Sequence, residues 1–387
     1  MNTITEREIL AQPSWILASD CVEMAVTQLG AHMAPVSFYR NTSQPVQPYY
    51  ISPWQGELTP LEPGRPEIPL RGDFFCMPFG ADPNPDAEEK HPPHGETSGQ
   101  LWSFADARVE GRVRTLTVHL ETKARPGDVT RAYSLREGEN VVYGSTKICG
   151  FAGPVTFAHH AVLRSPEQER SMLISTSPVQ FGMVCPHRFG DPSAGEYQAL
   201  EPGAYFSSLA QVPSIFKHLG AQDCSSYPAR RGFADLLQIA TVADTTTPAW
   251  IAVVNTVENY LWFALKDVRV LPSTLLWMEN HGRYGVPWNG RNCALGLEDA
   301  CTWFDRGIPE SSSDNAFLQH GIRTHHELRG YMFEVRYIQG VVKSPVGFGR
   351  VAHTMFGRGS VTFANAAGAW VTAIVQSDFL RGATLQS

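Results

Sequence analysis

Side chains able to transfer protons or bind a ligand concentrate in three segments of this chain. They are residues 91–102 (HPPHGETSGQLW), 154–163 (PVTFAHHAVL) and 277–303 (WMENHGRYGVPWNGRNCALGLEDACTW). Imidazole and carboxylate groups suit general acid–base catalysis, because their ordinary pKa values lie on either side of the range in which both exchange protons. The three segments are therefore the candidates for an acid–base site.

The first segment contains the spacing His91-x-x-His94-x-Glu96. Imidazole and carboxylate ligands suit zinc or a similar ion, so this spacing is a possible metal site. Two consecutive prolines keep the stretch extended, and the helical stacking used by HExxH sites is therefore excluded. A loop with partly exposed histidines is the alternative, and we assign no metal ligand here. Trp102, at the end of the segment, is a candidate for stacking on a ligand.

The second segment carries the adjacent pair His159 and His160 in a strand-like run. Successive residues of a strand face opposite sides of the sheet. One imidazole should therefore point into a cleft or core and the other away from it. Alternation alone does not decide which one, and a core histidine bound to a backbone carbonyl is the alternative for either.

The third segment is predicted to form a strand, a loop containing Gly and Pro, and a second strand. Glu279 and Glu298 lie in the strands, and Trp288, Asn289 and Arg291 lie in the loop. A carboxylate within ALGLEDA is either paired with a cation or tuned for proton transfer. Indole faces pack on the C–H face of a sugar ring, while amide, guanidinium and imidazole groups hydrogen-bond its hydroxyls. This composition predicts a carbohydrate site.

The elements that position these side chains are predicted to be strands. Period-two or short β-rich runs occupy residues 113–120, 171–176, 250–257, 331–338 and much of 361–375, whereas helical periodicity appears weakly at 234–240. Three stretches, near 43–69, 81–93 and 307–315, are predicted to be long loops. No shift in composition divides the chain, so we expect residues 1–387 to form one large antiparallel β domain.

Composition limits the classes of binding partner and the cellular location that we expect for the protein. Lys plus Arg is 31 against 38 for Asp plus Glu, a net charge of −7 without a basic run, which argues against nucleic-acid and anionic-membrane partners. The seven Cys are scattered and form no CxxC pair, so they indicate no disulfide framework. The N-terminal residues lack the layout of a signal peptide, and no apolar run is long enough to span a bilayer. We expect a cytoplasmic protein of undetermined oligomeric state.

Together the three segments resemble the aldose 1-epimerase, or galactose mutarotase-like, superfamily. The resemblance spans roughly residues 15–338. In chain order its elements are the Gly30-Ala31 turn, GDFFCMPFG at 72–80, His94-Gly95, Trp102, the strand ending in His159-His160, LGLEDA with Glu298, and LRGYMFEVRYI at 328–338. The family's substrate-binding Arg has no clear counterpart before His94-Gly95, and its substrate-binding Asp is not identified. These departures concern the substrate more than the fold.

The resemblance implies a β-supersandwich of antiparallel sheets and a mutarotase mechanism without a cofactor. By resemblance, Glu298 is the base that takes the proton of the anomeric hydroxyl, and His160 is the acid that protonates the ring oxygen. His94 would bind the sugar. We also assign substrate binding to a set chosen by chemistry and position: Trp102, His159, Glu279, Trp288, Asn289 and Arg291.

Three functions are consistent with this sequence. The first is a mutarotase or epimerase acting on a free aldose or an aldose derivative. The second is a carbohydrate-binding protein that keeps the cleft without catalysis, which the missing Arg counterpart favours. The third is a metal-dependent isomerase or lyase that uses His91, His94 and Glu96.

Overall fold

A computed structural model describes residues 4–82, 84, 89–242 and 244–385 of the chain. Nearly half of the backbone lies in strands, which pair antiparallel, and there is little helix. Frequent Gly and Pro between short β-rich runs favour strands joined by turns over long helices. The predicted all-β class is confirmed.

The strands are numbered in chain order. The first fourteen are β1 Thr5–Ile9, β2 Gln12–Ala18, β3 Val22–Thr27, β4 Met33–Phe38, β5 Phe75–Cys76, β6 Ser103–Glu110, β7 Val113–Thr122, β8 Gly127–Arg136, β9 Val141–Cys149, β10 Ala152–Val155, β11 Phe157–Arg164, β12 Met172–Thr176, β13 Val179–Val184 and β14 Tyr205–Phe206. The others are β15 Val212–Pro213, β16 Ala221–Gln222, β17 Ser226–Tyr227, β18 Phe233–Thr241, β19 Ala249–Asn255, β20 Tyr260–Lys266, β21 Ser273–Asn280, β22 Cys293–Cys301, β23 His326–Arg329, β24 Phe333–Lys343, β25 Val351–Gly357, β26 Ser360–Asn365 and β27 Trp370–Ile374. The helices are α1 Gly307–Ser312 and α2 Ala316–Gln319, and short 3₁₀ turns occur at Glu96–Ser98, Pro192–Ala194 and Ser377–Arg381.

Two large sheets dominate the topology. The seven-stranded sheet has the order β14-β13-β18-β21-β22-β11-β5, and the nine-stranded sheet has the order β17-β12-β19-β20-β24-β9-β8-β7-β6. β1 to β4 form a separate four-stranded sheet, and β25 to β27 form a three-stranded sheet. Pairing within the seven-stranded sheet is antiparallel throughout its described strands.

The main core lies between the two large sheets. Leu237 and Leu297 of the seven-stranded sheet belong to the same buried cluster as Val253, Trp262 and Tyr337 of the nine-stranded sheet. Burying a large apolar side chain contributes about 1.5–3 kcal/mol relative to leaving it exposed. The alternating outward residues of the seven-stranded sheet form a second cluster, which loops cover. That second, covered face holds the candidate site.

The three-stranded sheet near the C-terminus covers the outer face of the nine-stranded sheet. Phe363 and Val371 pack there with Trp250 and Phe263 in a third buried cluster. The Phe363 ring lies 5.1 Å from that of Phe263, centroid to centroid. Strands β19 and β20 are therefore covered on both faces, and every residue of these two strands is buried.

Two expectations about local structure were wrong. Residues 234–240 form part of strand β18, because nearly all of that strand is buried and it therefore lacks the alternation of a half-exposed strand. Residues 307–312 form helix α1 within the stretch expected as loop, and Pro309 falls in its first turn, where proline is tolerated. Of the stretch near 81–93, residues 83 and 85–88 lie outside the described residues. None of the described helices has the length and apolarity to cross a bilayer.

Candidate active site

The centre of the candidate site is a cross-strand pair formed by His160 and Glu298. His160 of β11 lies directly opposite Glu298 of β22 in the antiparallel register. Side chains of directly opposed residues project from the same face of a sheet. His160 Nε2 lies 3.2 Å from Glu298 Oε1, and both side chains are more than nine-tenths buried. The register alone therefore brings an imidazole and a carboxyl group into contact.

His159 projects from the opposite face of β11, into the core between the large sheets. Its Nδ1 lies 3.2 Å from Asp73 Oδ2, which also accepts a hydrogen bond from Arg131 at 2.6 Å. The ring of His159 stacks on that of Tyr337 with 4.1 Å between centroids. His159, predicted as a substrate ligand, belongs to a buried charge network and does not line the cavity.

A cavity of about 290 Å³ opens over the pair. Aromatic rings from separate parts of the chain form much of its wall, and charged groups from the loops complete it. The lining includes Arg65, Glu67, Phe74, His94, His160, Phe189, Trp277, Arg283, Trp288, Glu298 and Asp305. This mixture of rings and a few polar groups suits a small ligand with hydroxyls, such as a monosaccharide.

A glycine in β22 leaves room for the carboxyl group of Glu298. A Cβ atom at Gly296 would lie 2.9 Å from the Cβ of Trp277 and 3.0 Å from Glu298 Oε1. Gly296 is paired with Trp277 across the strands, so the indole ring covers the space that a side chain would fill. The Gly within ALGLEDA therefore lets Trp277 pack close to the acid–base pair.

The His94-Gly95 step brings a second imidazole to the cavity. Both residues have positive φ, 59° for His94 and 75° for Gly95. A Cβ atom at Gly95 would lie 1.9 Å from the carbonyl oxygen of Met77, so only glycine fits. The His94 N–H donates to the Gly80 carbonyl at 2.7 Å, and the His94 ring lies 5.3 Å from that of His160. The tight backbone approach explains the sequence motif.

The loop between β21 and β22 supplies Arg283 and Trp288. The Arg283 guanidinium lies over the rings of Phe189 and Trp288, at 4.5 and 5.2 Å from their centroids. Glu279 accepts hydrogen bonds from the N–H groups of Gly282 and Arg283 at 2.9 and 3.1 Å. Glu279, predicted to bind substrate, lies beneath this loop and holds it without lining the cavity.

Burial sets the protonation of the central groups. Burial raises the pKa of Glu298 well above its usual range; the charge of Asp305 adds to the shift and that of Arg283 opposes it. Burial lowers the pKa of His160 well below its usual range, and the charges of His94 and His32 act in the same direction. Both shifts favour an uncharged pair that holds one exchangeable proton.

Three other predicted ligands lie away from the cavity. Trp102 is buried in the main core, and its Nε1 donates to the Thr97 carbonyl at 3.0 Å. Asn289 is exposed in the β21–β22 loop. Arg291 forms a two-point ion pair with Glu57 at 2.7 and 2.6 Å, which ties that loop to its neighbour. Chemistry and position in the sequence suggested these residues, but neither reports side-chain direction.

The His91-x-x-His94-x-Glu96 spacing does not bring its three groups to one point. The Glu96 carboxylate accepts hydrogen bonds from the backbone N–H groups of Lys123 and Ala124 at 2.9 Å. His91 Nε2 lies 3.2 Å from a carboxylate oxygen of Glu89. Among the described residues, no group of three or more His, Cys, Asp or Glu side chains is arranged to hold a metal ion.

The cavity contains residues that the sequence analysis did not single out. Arg65 and Asp305 come from loops, and Arg65 pairs with Glu67 at 2.6 Å. Phe74 lies beside His160, and Trp277 opens the third segment. Strand alternation gives one signal for Trp277. Trp277 lies two residues before Glu279 in the same strand, so both side chains project from the same face of the sheet. The loop residues leave no comparable pattern.

No family model matches the chain, and no curated protein sequence matches it. Solved structures match over most of its length. One is a protein provisionally described as an aldose 1-epimerase from Klebsiella pneumoniae, with a TM-score of 0.60, 12% identity and coverage of 88% of this chain and 83% of that one. A galactose mutarotase-like protein from Clostridium acetobutylicum has a TM-score of 0.57, 10% identity and coverage of 88% and 99%. A galactose mutarotase related enzyme from Lactobacillus acidophilus has a TM-score of 0.53, 10% identity and coverage of 86% and 98%.

At these identities the matches establish the fold. The chain has the galactose mutarotase-like architecture of antiparallel sheets, which confirms the fold that the resemblance implied. The activities named for those proteins remain statements about them.

Proposed function

We propose that this protein is a sugar mutarotase that interconverts the anomers of an aldose or aldose derivative. The observation that carries the proposal is the buried His160–Glu298 contact of 3.2 Å beneath an aromatic-lined cavity. The fold shared with mutarotase-like structures supports the same assignment. We extend the proposal to one mutarotase-like unit over residues 1–387, acting on a small carbohydrate in the cytoplasm without a cofactor.

The reaction needs one proton acceptor and one proton donor. In ring opening Glu298 takes the proton of the anomeric hydroxyl, His160 protonates the ring oxygen, and the bond from the anomeric carbon to the ring oxygen breaks. The resulting aldehyde rotates about its bond to the next carbon. Closure on the other face of the carbonyl returns both protons, so atoms and charge balance over the cycle.

The shared proton of the pair fits this requirement. Glu298 as carboxylate with a protonated His160, and Glu298 as acid with a neutral His160, differ only in the location of one proton across the 3.2 Å contact. The charged form supplies the acceptor Glu298 and the donor His160 of the ring-opening step. The uncharged form, which burial favours, reaches it when the proton passes from Glu298 to His160. Positioned acid–base groups typically accelerate a reaction by about 10²–10⁴-fold each, which is ample for a reaction that proceeds unaided in water.

The other groups of the cavity bind and orient the sugar. Trp277 and Trp288 offer ring faces or edges to the C–H face of a pyranose. His94 and Asp305 can exchange hydrogen bonds with hydroxyls, and Arg283 can donate to them. Because Arg65 and Glu67 already neutralise each other, we expect the cavity to accept a sugar with little net charge.

The test begins with a panel of aldoses, uronic acids and sugar phosphates screened by thermal shift, since a ligand that binds the native state alone raises the melting temperature. Anomer exchange of the binding sugars is then followed by nuclear magnetic resonance. We expect the wild-type protein to accelerate exchange, and Glu298→Gln and His160→Gln each to lower kcat by about 10²-fold or more. Arg291→Gln, at the surface ion pair, is the matched control.

Two outcomes would overturn the assignment. Full activity in both variants would remove His160 and Glu298 from the reaction. Tight sugar binding with no acceleration of exchange by the wild-type protein would instead identify a carbohydrate-binding protein that uses the same cavity.

A further inference from the structure

Three aromatic rings from separate elements stack in a row that ends at His160. The ring of His32 lies 4.0 Å from that of Phe74, with 9° between the planes. The other neighbour of Phe74 is His160, at 4.5 Å and 19°. His32 directly precedes β4, Phe74 directly precedes β5, and His160 lies within β11. The row therefore connects the four-stranded sheet to the acid–base pair.

His160 has few polar contacts to orient it. Its Nε2 faces Glu298, whereas its Nδ1 has no hydrogen-bond partner within the described part of the chain. A catalytic histidine is usually held in its tautomer and orientation by a hydrogen bond on the second ring nitrogen. Here packing must supply that restraint: Phe74 covers a face of the imidazole, while Trp277 and His94 approach it nearly perpendicularly, at 6.0 and 5.3 Å.

His32, at the far end of the row, is itself fixed by two hydrogen bonds. Its Nδ1 accepts from the backbone N–H of Arg71 at 3.3 Å, and its Nε2 lies 2.8 Å from the Ser98 carbonyl. A backbone N–H can only donate, so Nδ1 carries no proton and Nε2 donates to Ser98. Burial lowers the pKa of His32 to about 3, which keeps this neutral tautomer in place.

His32 does not line the cavity, so its influence on a bound ligand passes through Phe74. Rotation of the His160 ring about its Cβ–Cγ bond would move Nε2 away from Glu298. The face of Phe74 opposes that rotation, and His32 backs Phe74 from the other side. Such packing restrains orientation without offering a competing hydrogen bond to the imidazole.

We infer that His32 and Phe74 are positioning residues that hold the imidazole of His160 in the plane required for proton transfer with Glu298. The expected loss of kcat rests on the proposed function, whereas the orientation of the His160 imidazole does not. A misplacement of about 1 Å at a reacting group can lower a rate by about 10²-fold, so a small loss of restraint is measurable.

The test uses Phe74→Met, which keeps much of the volume and removes the ring, and His32→Leu, which removes the anchor. Phe74→Tyr restores a ring, and Phe363→Met places a matched substitution in the separate cluster under the three-stranded sheet. The ¹H–¹³C imidazole signals of His160, assigned with His160→Gln, report the stacked ring directly. The positions of these signals at a given pH also depend on the charged and titratable groups near the ring. These are Glu298, His94 and His32 around the imidazole, and Arg283 and Asp305 in the cavity wall.

We expect the His160 signals to lose the ring-current shift in Phe74→Met and to shift in His32→Leu, while Phe74→Tyr and Phe363→Met leave them near the wild-type positions. With a sugar substrate, Phe74→Met and His32→Leu should lower kcat by about ten-fold or more. KM should stay within about two-fold, because the lost restraint acts on the chemical step.

Unchanged His160 signals in both Phe74→Met and His32→Leu would overturn the inference. So would a rise in KM with an unchanged kcat, which would make Phe74 only a wall of the binding cavity. Shifted His160 signals in a protein that accelerates no anomer exchange would support the positioning role and reject the proposed function, so the two failures are distinguishable.

Discussion

Replacing Glu279 with Gln should reduce the loss of folding stability that the protein undergoes as the pH rises. Glu279 is fully buried, and burial raises the pKa of its carboxyl group from 4.5 to about 7; Arg283 and the two N–H donors reduce the shift without cancelling it. The folded protein therefore binds this proton more tightly than the unfolded chain. The contribution of Glu279 to stability is full below pH 4.5 and is lost as the pH rises through about 7.

The size of the loss follows from the shift. Moving a pKa from 4.5 to about 7 corresponds to about 3 kcal/mol of unfolding free energy between the two ends of that range. For a chain of 387 residues, about 3 kcal/mol is about 4 °C in melting temperature. Glu279→Gln cannot lose a proton, so its melting temperature relative to wild type should rise by about this amount between pH 4.5 and pH 8.

The assay is thermal unfolding of the wild-type protein and Glu279→Gln at matched ionic strength across that pH range. Glu167→Gln, a substitution at an exposed residue, makes the same change of charge and controls for net-charge effects. A difference in melting temperature between Glu279→Gln and wild type that stays constant from pH 4.5 to pH 8 would refute the reasoning. A difference in melting temperature that falls with rising pH would be the opposite of the predicted trend and would refute the reasoning equally.

Three further predictions concern the core, the cavity floor and the surface. Although burial alone would raise the pKa of Asp73, the charges of His159 and Arg131 hold that pKa below its usual range, so Asp73 stabilises the fold at neutral pH and this contribution is lost in acid. Asp73→Asn leaves Arg131 buried without its counter-charge and should cost about 3–5 kcal/mol of unfolding free energy, measured with urea at pH 7. A cost below about 1 kcal/mol would contradict the charge network. Gly296→Ala should push Trp277 and Glu298 apart, costing about 1–3 kcal/mol in unfolding free energy and lowering kcat; wild-type kcat in a folded variant would contradict the packing argument. Arg291→Gln should leave kcat and the melting temperature unchanged, because its partner Glu57 is at the surface, and a large loss of kcat would return Arg291 to the site.

Local periodicity in the sequence predicted the fold class, whereas the choice of His160 and Glu298 as the centre of the site came from the family resemblance. In the run 113–120, residues 116–120 alternate between apolar and polar side chains, and the whole run lies within β7. Strand alternation required His159 and His160 to face opposite sides, and the antiparallel register with Glu298 then selects His160 for the cavity. Family resemblance had indicated the same histidine.

The remaining lining depends on contacts that local patterns do not encode. Arg65 and Asp305 reach the cavity from loops far apart in the chain, and Phe74 precedes a two-residue strand that has no detectable period. Trp102 looked like a ligand platform because of its neighbours, yet its side chain packs in the main core. β18 was mistaken for a helical stretch because burial of both faces removes alternation.

The most direct test of the proposed acid–base pair is a double-mutant cycle. It compares the rates of anomer exchange, monitored by exchange spectroscopy, for the sugar that binds most tightly. If His160 and Glu298 act as one proton-transferring unit, Glu298→Gln and His160→Gln should each remove nearly all of the acceleration. The double variant should then be no slower than either single variant, since groups that act as a unit are non-additive. Losses that multiply in the double variant, or a single variant with wild-type kcat, would contradict the shared role of the pair.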